Sequence, residues 1–120
     1  MSKQFVPPER EIGGKAMHVI GVFNRDGGTF RTMDMDAFVR RATEILAAHG
    51  HTLDARIVSG PELIAALEMA AEGAEVLLAG GGDGTISAAA SIAFQRNVTL
   101  AVLPAGTMNL FARSLSIPLN

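Results

Sequence analysis

Gly80, Gly81, Gly82, Asp83, Gly84 and Thr85 are the residues of this 120-residue chain best suited to chemistry. They stand between an apolar run at 75–79 and a run of mostly small residues at 86–94. That order reads as strand, glycine turn, helix. Four glycines in five positions let the backbone turn with positive φ and come close to a ligand. The start of the following helix offers free N–H groups and a partial positive charge, which suits phosphate. Asp83 is the exception. A carboxylate repels phosphate, so it would act through Mg²⁺ or on a substrate hydroxyl. The plainer reading is a glycine turn with Asp83 as the helix N-cap.

Those residues need a scaffold. Residues 17–23 read as a buried strand, and 24–35 as a polar, glycine-containing connection. Asp36 is expected to cap a helix reaching His49, with Phe38, Ala42, Ile45 and Leu46 on one face and Gly50 beyond its end. Residues 53–58 form a second strand. Ser59 and Glu62 have capping-box spacing, and the helix they open turns Leu63, Ile64, Leu67 and Ala71 inward before stopping at Gly73. Strands at 75–79 and 98–103 flank a helix over 85–96, and a short helix is expected over 107–115. The alternation implies an α/β fold: a mostly parallel four-stranded sheet with helices on both faces. In such sheets ligands bind beyond the carboxyl ends of the strands. Asn24, Ser59, residues 80–85 and residues 104–109 all fall there.

Composition narrows the classes. The hydrophobic fraction is 48 %, enough for one domain with a real core, and the net charge of -2 gives no footprint for nucleic acid. The chain has no Cys, which excludes disulfides, thiolate chemistry and Cys-ligated zinc. It has no apolar run near the ~18 residues of a membrane span. Residues 1–15 are polar, with two prolines and two glycines, and are expected to form a flexible tail ahead of a domain at 16–120.

Pro104, Gly106, Thr107, Asn109, Phe111 and Arg113 complete a second motif after the last strand. Together with Gly81, Gly82, Asp83, Gly84 and Thr85, it resembles the diacylglycerol kinase catalytic domain, the family of bacterial lipid kinases and sphingosine kinases. The resemblance implies a first domain like those of phosphofructokinases and NAD kinases. It also implies ATP and Mg²⁺ as cofactors, a lipid acceptor at a membrane surface, a cytoplasmic protein peripheral to the membrane, and no nucleic-acid partner. A homo-oligomer is compatible with it. Relatives carry a second, β-rich domain, which this sequence does not contain, so the isolated chain is expected to be inactive.

Carried over residue by residue, Gly81, Gly82, Asp83, Gly84 and Thr85 match the nucleotide-phosphate loop, with Asp83 the catalytic candidate. Gly106, Thr107 and Asn109 match the second nucleotide contact, and Asn24 the Asn that ends strand one. Ser59 lies near a nucleotide-contacting Thr, although its capping-box spacing is the preferred reading. No metal ligands are assigned. The sequence departs from the family pattern in three places. Arg25 and Asp26 follow Asn24 where Asn-Pro is common. Ile86, Ser87 and Ala88 stand where a hydrophobe, Asn and Glu are common. Leu110 stands where Asp often follows Asn109. An NAD kinase-like enzyme shares the first motif but not the second, and a non-catalytic nucleotide-binding module fits the missing acidic groups.

Some residues have plainer readings. His49 and His51 look like a metal pair, but a solvated helix end explains them without a third ligand. Arg25 and Arg31 read as solvated loop residues, and Met33 and Met35 as packing. Arg113 is equally a phosphate grip or a surface residue.

Overall fold

The computed structural model describes residues 16–104. β1 (His18–Asn24) is apolar on both faces, with Val19, Ile20, Val22 and Phe23 all buried. Such a strand belongs at the centre of a parallel sheet. β2 (Thr52–Val58) pairs on one side of it and β3 (Val76–Gly81) on the other, with β4 (Thr99–Pro104) outside β3. All three pairings are parallel, in the order β2-β1-β3-β4. The direction of strand addition therefore reverses after β2. That places a switch point between the carboxyl ends of β1 and β3.

The helices α1 (Met35–Ala48), α2 (Leu63–Gly73) and α3 (Asp83–Arg96) make the three crossovers. Leu63, Leu67, Ala70 and Ala71 of α2 and Ala89, Ile92 and Ala93 of α3 pack against Ile20, Val22, Leu77 and Ala79 on one sheet face. Small residues on α3 let its backbone lie close to the strands. The opposite face carries Phe23, Phe30, Met33 and Phe38. Phe23 meets Phe38 edge-on at a centroid distance of 5.1 Å and Phe30 at 5.9 Å. These are the electrostatically favoured arrangements for aromatic rings.

Four expectations change. Asp34, not Asp36, caps α1: its Oδ1 accepts the Ala37 N–H at 3.1 Å. Asp34 keeps an extended backbone because buried Met33 anchors the chain before it, which leaves Asp36 inside the first turn. The connection after β1 is not merely polar, since a 3₁₀ turn (Gly28–Thr32) buries Phe30 and leads to Met33. Ile64 is half exposed, because the stripe Leu63, Leu67, Ala70, Ala71 already faces the sheet. Finally, β3 runs on through Gly80 and Gly81, which still pair with Phe23, Leu103 and Pro104, and α3 starts at Asp83 with Gly82 as N-cap. Asp83 is therefore a first-turn residue rather than the cap.

Gly50 does follow α1 with a left-handed φ of 83°. His49 Nδ1 donates to Ile45 O at 3.0 Å, and His51 Nδ1 accepts the Met17 N–H at 3.1 Å. Both imidazoles are thus engaged by backbone, and no cluster of metal-binding side chains occurs among the described residues. Residues 1–15 and the expected helix at 107–115 lie outside the described residues.

Candidate functional site

Three strand ends meet at the switch point. Asn24 closes β1 and donates its Nδ2–H to Thr85 Oγ1, in the first turn of α3, at 3.1 Å. Its Oδ1 accepts the Asp26 N–H at 3.0 Å. The Asp26 carboxylate in turn accepts the Gly60 N–H, just after β2, at 2.8 Å. Arg25 N–H adds a bond to Val58 O at 2.9 Å.

The glycines divide into two kinds. Gly81 has φ of +154°, and a Cβ there would lie 2.7 Å from Thr85 Oγ1. A Cβ on Gly80 would lie 2.7 Å from the Phe23 ring and 2.9 Å from that of Phe30. The fold itself demands glycine at both positions. Gly82 and Gly84 are different: a Cβ on either would meet nothing within 4 Å. Packing within the fold does not demand glycine at either position.

No side chain caps α3, and the first helical amide bond is Ile86 N–H to Gly82 O at 3.1 Å. The N–H groups before Ile86 therefore sit at the positive end of the helix, with no side chain among the described residues capping them. Gly27 brings the β1 loop alongside, since a Cβ there would lie 3.2 Å from Gly82 N. Asp83 is exposed and makes no hydrogen bond or ion pair among the described residues. Thr85 is 4 % exposed, so its hydroxyl is held within the fold by Asn24.

Ser59 gives both its N–H and its hydroxyl to Glu62 Oε1, each at 2.9 Å. The backbone bond first, then the hydroxyl bond, hold the Glu62 carboxyl below its ordinary pKa, and Arg25 adds to the effect. Ser59 thus serves its helix start, as its spacing suggested. Arg25 and Arg31 are exposed. Gly106, Thr107, Asn109 and Arg113 lie outside the described residues. The sequence signal for the place of Asp26 is the Asn two residues before it, which can form an Asx turn, and the bond from the Asp26 N–H to Asn24 Oδ1 is that turn.

An apolar hollow of about 210 Å³ lies away from this edge, between α1 and the sheet, lined by Phe38, Ala42, Ile45, Leu46, Leu78 and Leu103. It offers no charge or donor to a phosphate.

Residues 18–120 match the family model of the diacylglycerol kinase catalytic domain. The chain belongs to this family. A "probable lipid kinase YegS-like" protein of Cronobacter sakazakii is 30 % identical over 105 residues, covering 79 % of this chain and 35 % of its own. A protein of the same description from Yersinia enterocolitica is 41 % identical over 87 residues, covering 68 % and 29 %. A crystal structure of a diacylglycerol kinase from Bacillus anthracis superposes with a TM-score of 0.59 and 25 % identity, covering 88 % of this chain and 40 % of that one. The diacylglycerol kinase family thus accounts for both the parallel sheet and the glycine loop at its edge. The chain spans about a third of the length of the curated relatives it matches.

Proposed function

We propose that this chain is the ATP-binding part of a lipid kinase, which transfers the γ-phosphate of ATP to a lipid hydroxyl such as that of diacylglycerol. The observation that carries this reading is the start of α3, which no side chain among the described residues caps, and where Gly82 and Gly84 face open space beside the exposed Asp83. A phosphate fits there because backbone N–H groups point outward and no Cβ blocks them. Bound ATP would bring the transferable phosphoryl group, and bound Mg²⁺ would offset its charge. The described residues contain no cage for the metal, which suits an ion held mainly by phosphates and water with one or two carboxylates.

The chain's own contributions are positional. The amides of residues 82–84 would hold the phosphates, and the Asn24–Thr85 bond would fix the loop that carries them. Asp83 has two roles open to it: to orient Mg²⁺, directly or through water, or to take the proton from the lipid hydroxyl as its oxygen bonds to the γ-phosphorus and the bond from that phosphorus to the β–γ bridging oxygen breaks, releasing ADP. Both need an exposed, unpaired carboxylate. Thr107 and Asn109 would add nucleotide contacts from the second motif. No helix among the described residues is long and apolar enough to cross a membrane. The reading places the protein in the cytoplasm, meeting its lipid at the membrane surface.

The test has two arms. Titrating Mg·ADP into the labelled 120-residue chain should shift the amides of residues 82–85. Shifts centred elsewhere would sink the site. Radiolabelled ATP with diacylglycerol in mixed micelles should give product with a polypeptide of the relatives' full length and none with this chain. An open strand edge neither excludes water nor holds the acceptor in line. Equal turnover from the short chain would overturn that division of labour.

A further inference from the structure

We infer that Asp26 is a positioning residue for the phosphate loop, acting at a distance through Asn24. The inference rests on the nucleotide reading for its purpose, but its geometry stands alone. Three hydrogen bonds run in one direction: Gly60 N–H to Asp26 Oδ2 at 2.8 Å, Asp26 N–H to Asn24 Oδ1 at 3.0 Å, and Asn24 Nδ2–H to Thr85 Oγ1 at 3.1 Å. The two bonds of the Asn24 amide, one accepted at Oδ1 and one donated from Nδ2, polarise one another.

The middle bond decides the orientation of Asn24. An amide side chain can present either its oxygen or its nitrogen to a neighbour. With Oδ1 held by the Asp26 N–H, only Nδ2 is left to face Thr85. The Thr85 oxygen then accepts, and its hydroxyl hydrogen is free to point elsewhere. Gly81 makes this contact possible, since a Cβ there would occupy the space of the Thr85 hydroxyl. The Asp26 backbone is itself held from two sides. Its carboxylate grips the loop after β2, and its neighbour Arg25 extends the β1–β2 ladder through Val58 O at 2.9 Å. A proline at position 25 would have no N–H to give. Arg25 and Asp26 together fasten the β2 loop to the end of β1, and Asn24 passes that constraint to the start of α3.

The experiment compares Asp26→Ala and Asp26→Asn with the natural chain of 120 residues. In the ligand-free Ala variant, the Asn24 side-chain amide and the Gly82 and Thr85 backbone amides should shift, although none of them touches the Asp26 carboxylate. The Asn variant keeps an acceptor for Gly60 and should leave them near their natural positions. Mg·ADP binding should weaken about fivefold in the Ala variant, the scale of one hydrogen bond, and less than about twofold in the Asn variant. Ligand-free shifts confined to residues 24–28 and 59–61 would overturn the inference. So would equal weakening in both variants, or shifts spread over the whole sheet with a large fall in Tm, which would mark a general structural role. If the natural chain does not bind Mg·ADP at residues 82–85, the nucleotide reading fails, and the ligand-free comparison decides the role of Asp26 by itself.

Discussion

Asn24 and Thr85, 61 residues apart in the chain, are joined by a 3.1 Å hydrogen bond that ties the end of β1 to the first turn of α3. Thr85 is buried, so its hydroxyl has no ready replacement partner. Asn24→Ala should therefore cost about 1–3 kcal/mol of stability, the penalty of a buried polar group left unpaired. Asn24→Asp should cost less, because the Thr85 hydroxyl can turn and donate to the carboxylate. Urea unfolding of the three proteins checks the order. Equal stability of all three would show that the bond does not hold the loop.

Gly81 and Gly84 should respond to alanine with opposite signs. At Gly81, a positive φ and a 2.7 Å approach to Thr85 Oγ1 make a methyl group costly, by about 1–3 kcal/mol. At Gly84, a helical position with open space around it, alanine should add about 0.5 kcal/mol by reducing the freedom of the unfolded chain. Yet Gly84→Ala should weaken Mg·ADP, because the methyl group projects where a phosphate would lie. A stabilised Gly84→Ala chain with unchanged nucleotide affinity would remove Gly84 from the site.

Asp83→Asn should leave the fold almost untouched. Asp83 is exposed and its side chain has no partner among the described residues, and Gly82 rather than Asp83 is the cap. In a full-length enzyme the same substitution should lower turnover by ~100-fold or more, the scale of a lost proton acceptor or charge-stabilising group. Stopped-time assays alongside thermal unfolding separate the two effects. Natural turnover would reduce Asp83 to a first-turn charge that favours the helix dipole.

Glu62 gives the chain a pH dependence of known sign. Its carboxyl is held below the ordinary range, chiefly by the Ser59 N–H and then by the Ser59 hydroxyl. A depressed folded-state pKa means that the unfolded chain binds the proton first as pH falls. The stabilisation is therefore complete above the unfolded value, about 4.3, and is lost as pH falls through the lower folded value. Glu62→Gln keeps the shape without the charge. Its stability should differ from that of the natural chain at pH 7, and the gap should close on acidification. A gap that stays constant down to pH 2 would contradict the assignment.

The sequence by itself determined the fold class, and with it the sheet edge where the candidate site is proposed. Apolar runs of strand length alternating with helical stripes leave little but a parallel sheet, and that sheet directs ligands to its carboxyl edge. The capping box at Ser59 and the left-handed Gly50 were legible for the same reason. Each is a preference that a few neighbouring residues settle among themselves.

Only the tertiary structure decided what depends on distant partners. Gly80 and Gly81 look like a turn in isolation, but β1 and β4 bond to them from both sides and keep them in the strand. Asp36 reads as the cap of α1 from its neighbours, but buried Met33 fixes where the chain begins to wind and gives that place to Asp34. Phe30 sits in a polar stretch, and its burial follows from the aromatic rings waiting on Phe23 and Phe38. The route from Gly60 through Asp26 and Asn24 to Thr85 exists because the order β2-β1-β3 sets those three strand ends side by side. Local preference has a range of a few residues. Strand order is fixed by burying the apolar faces of the whole sheet at once, and no short stretch of sequence contains that sum.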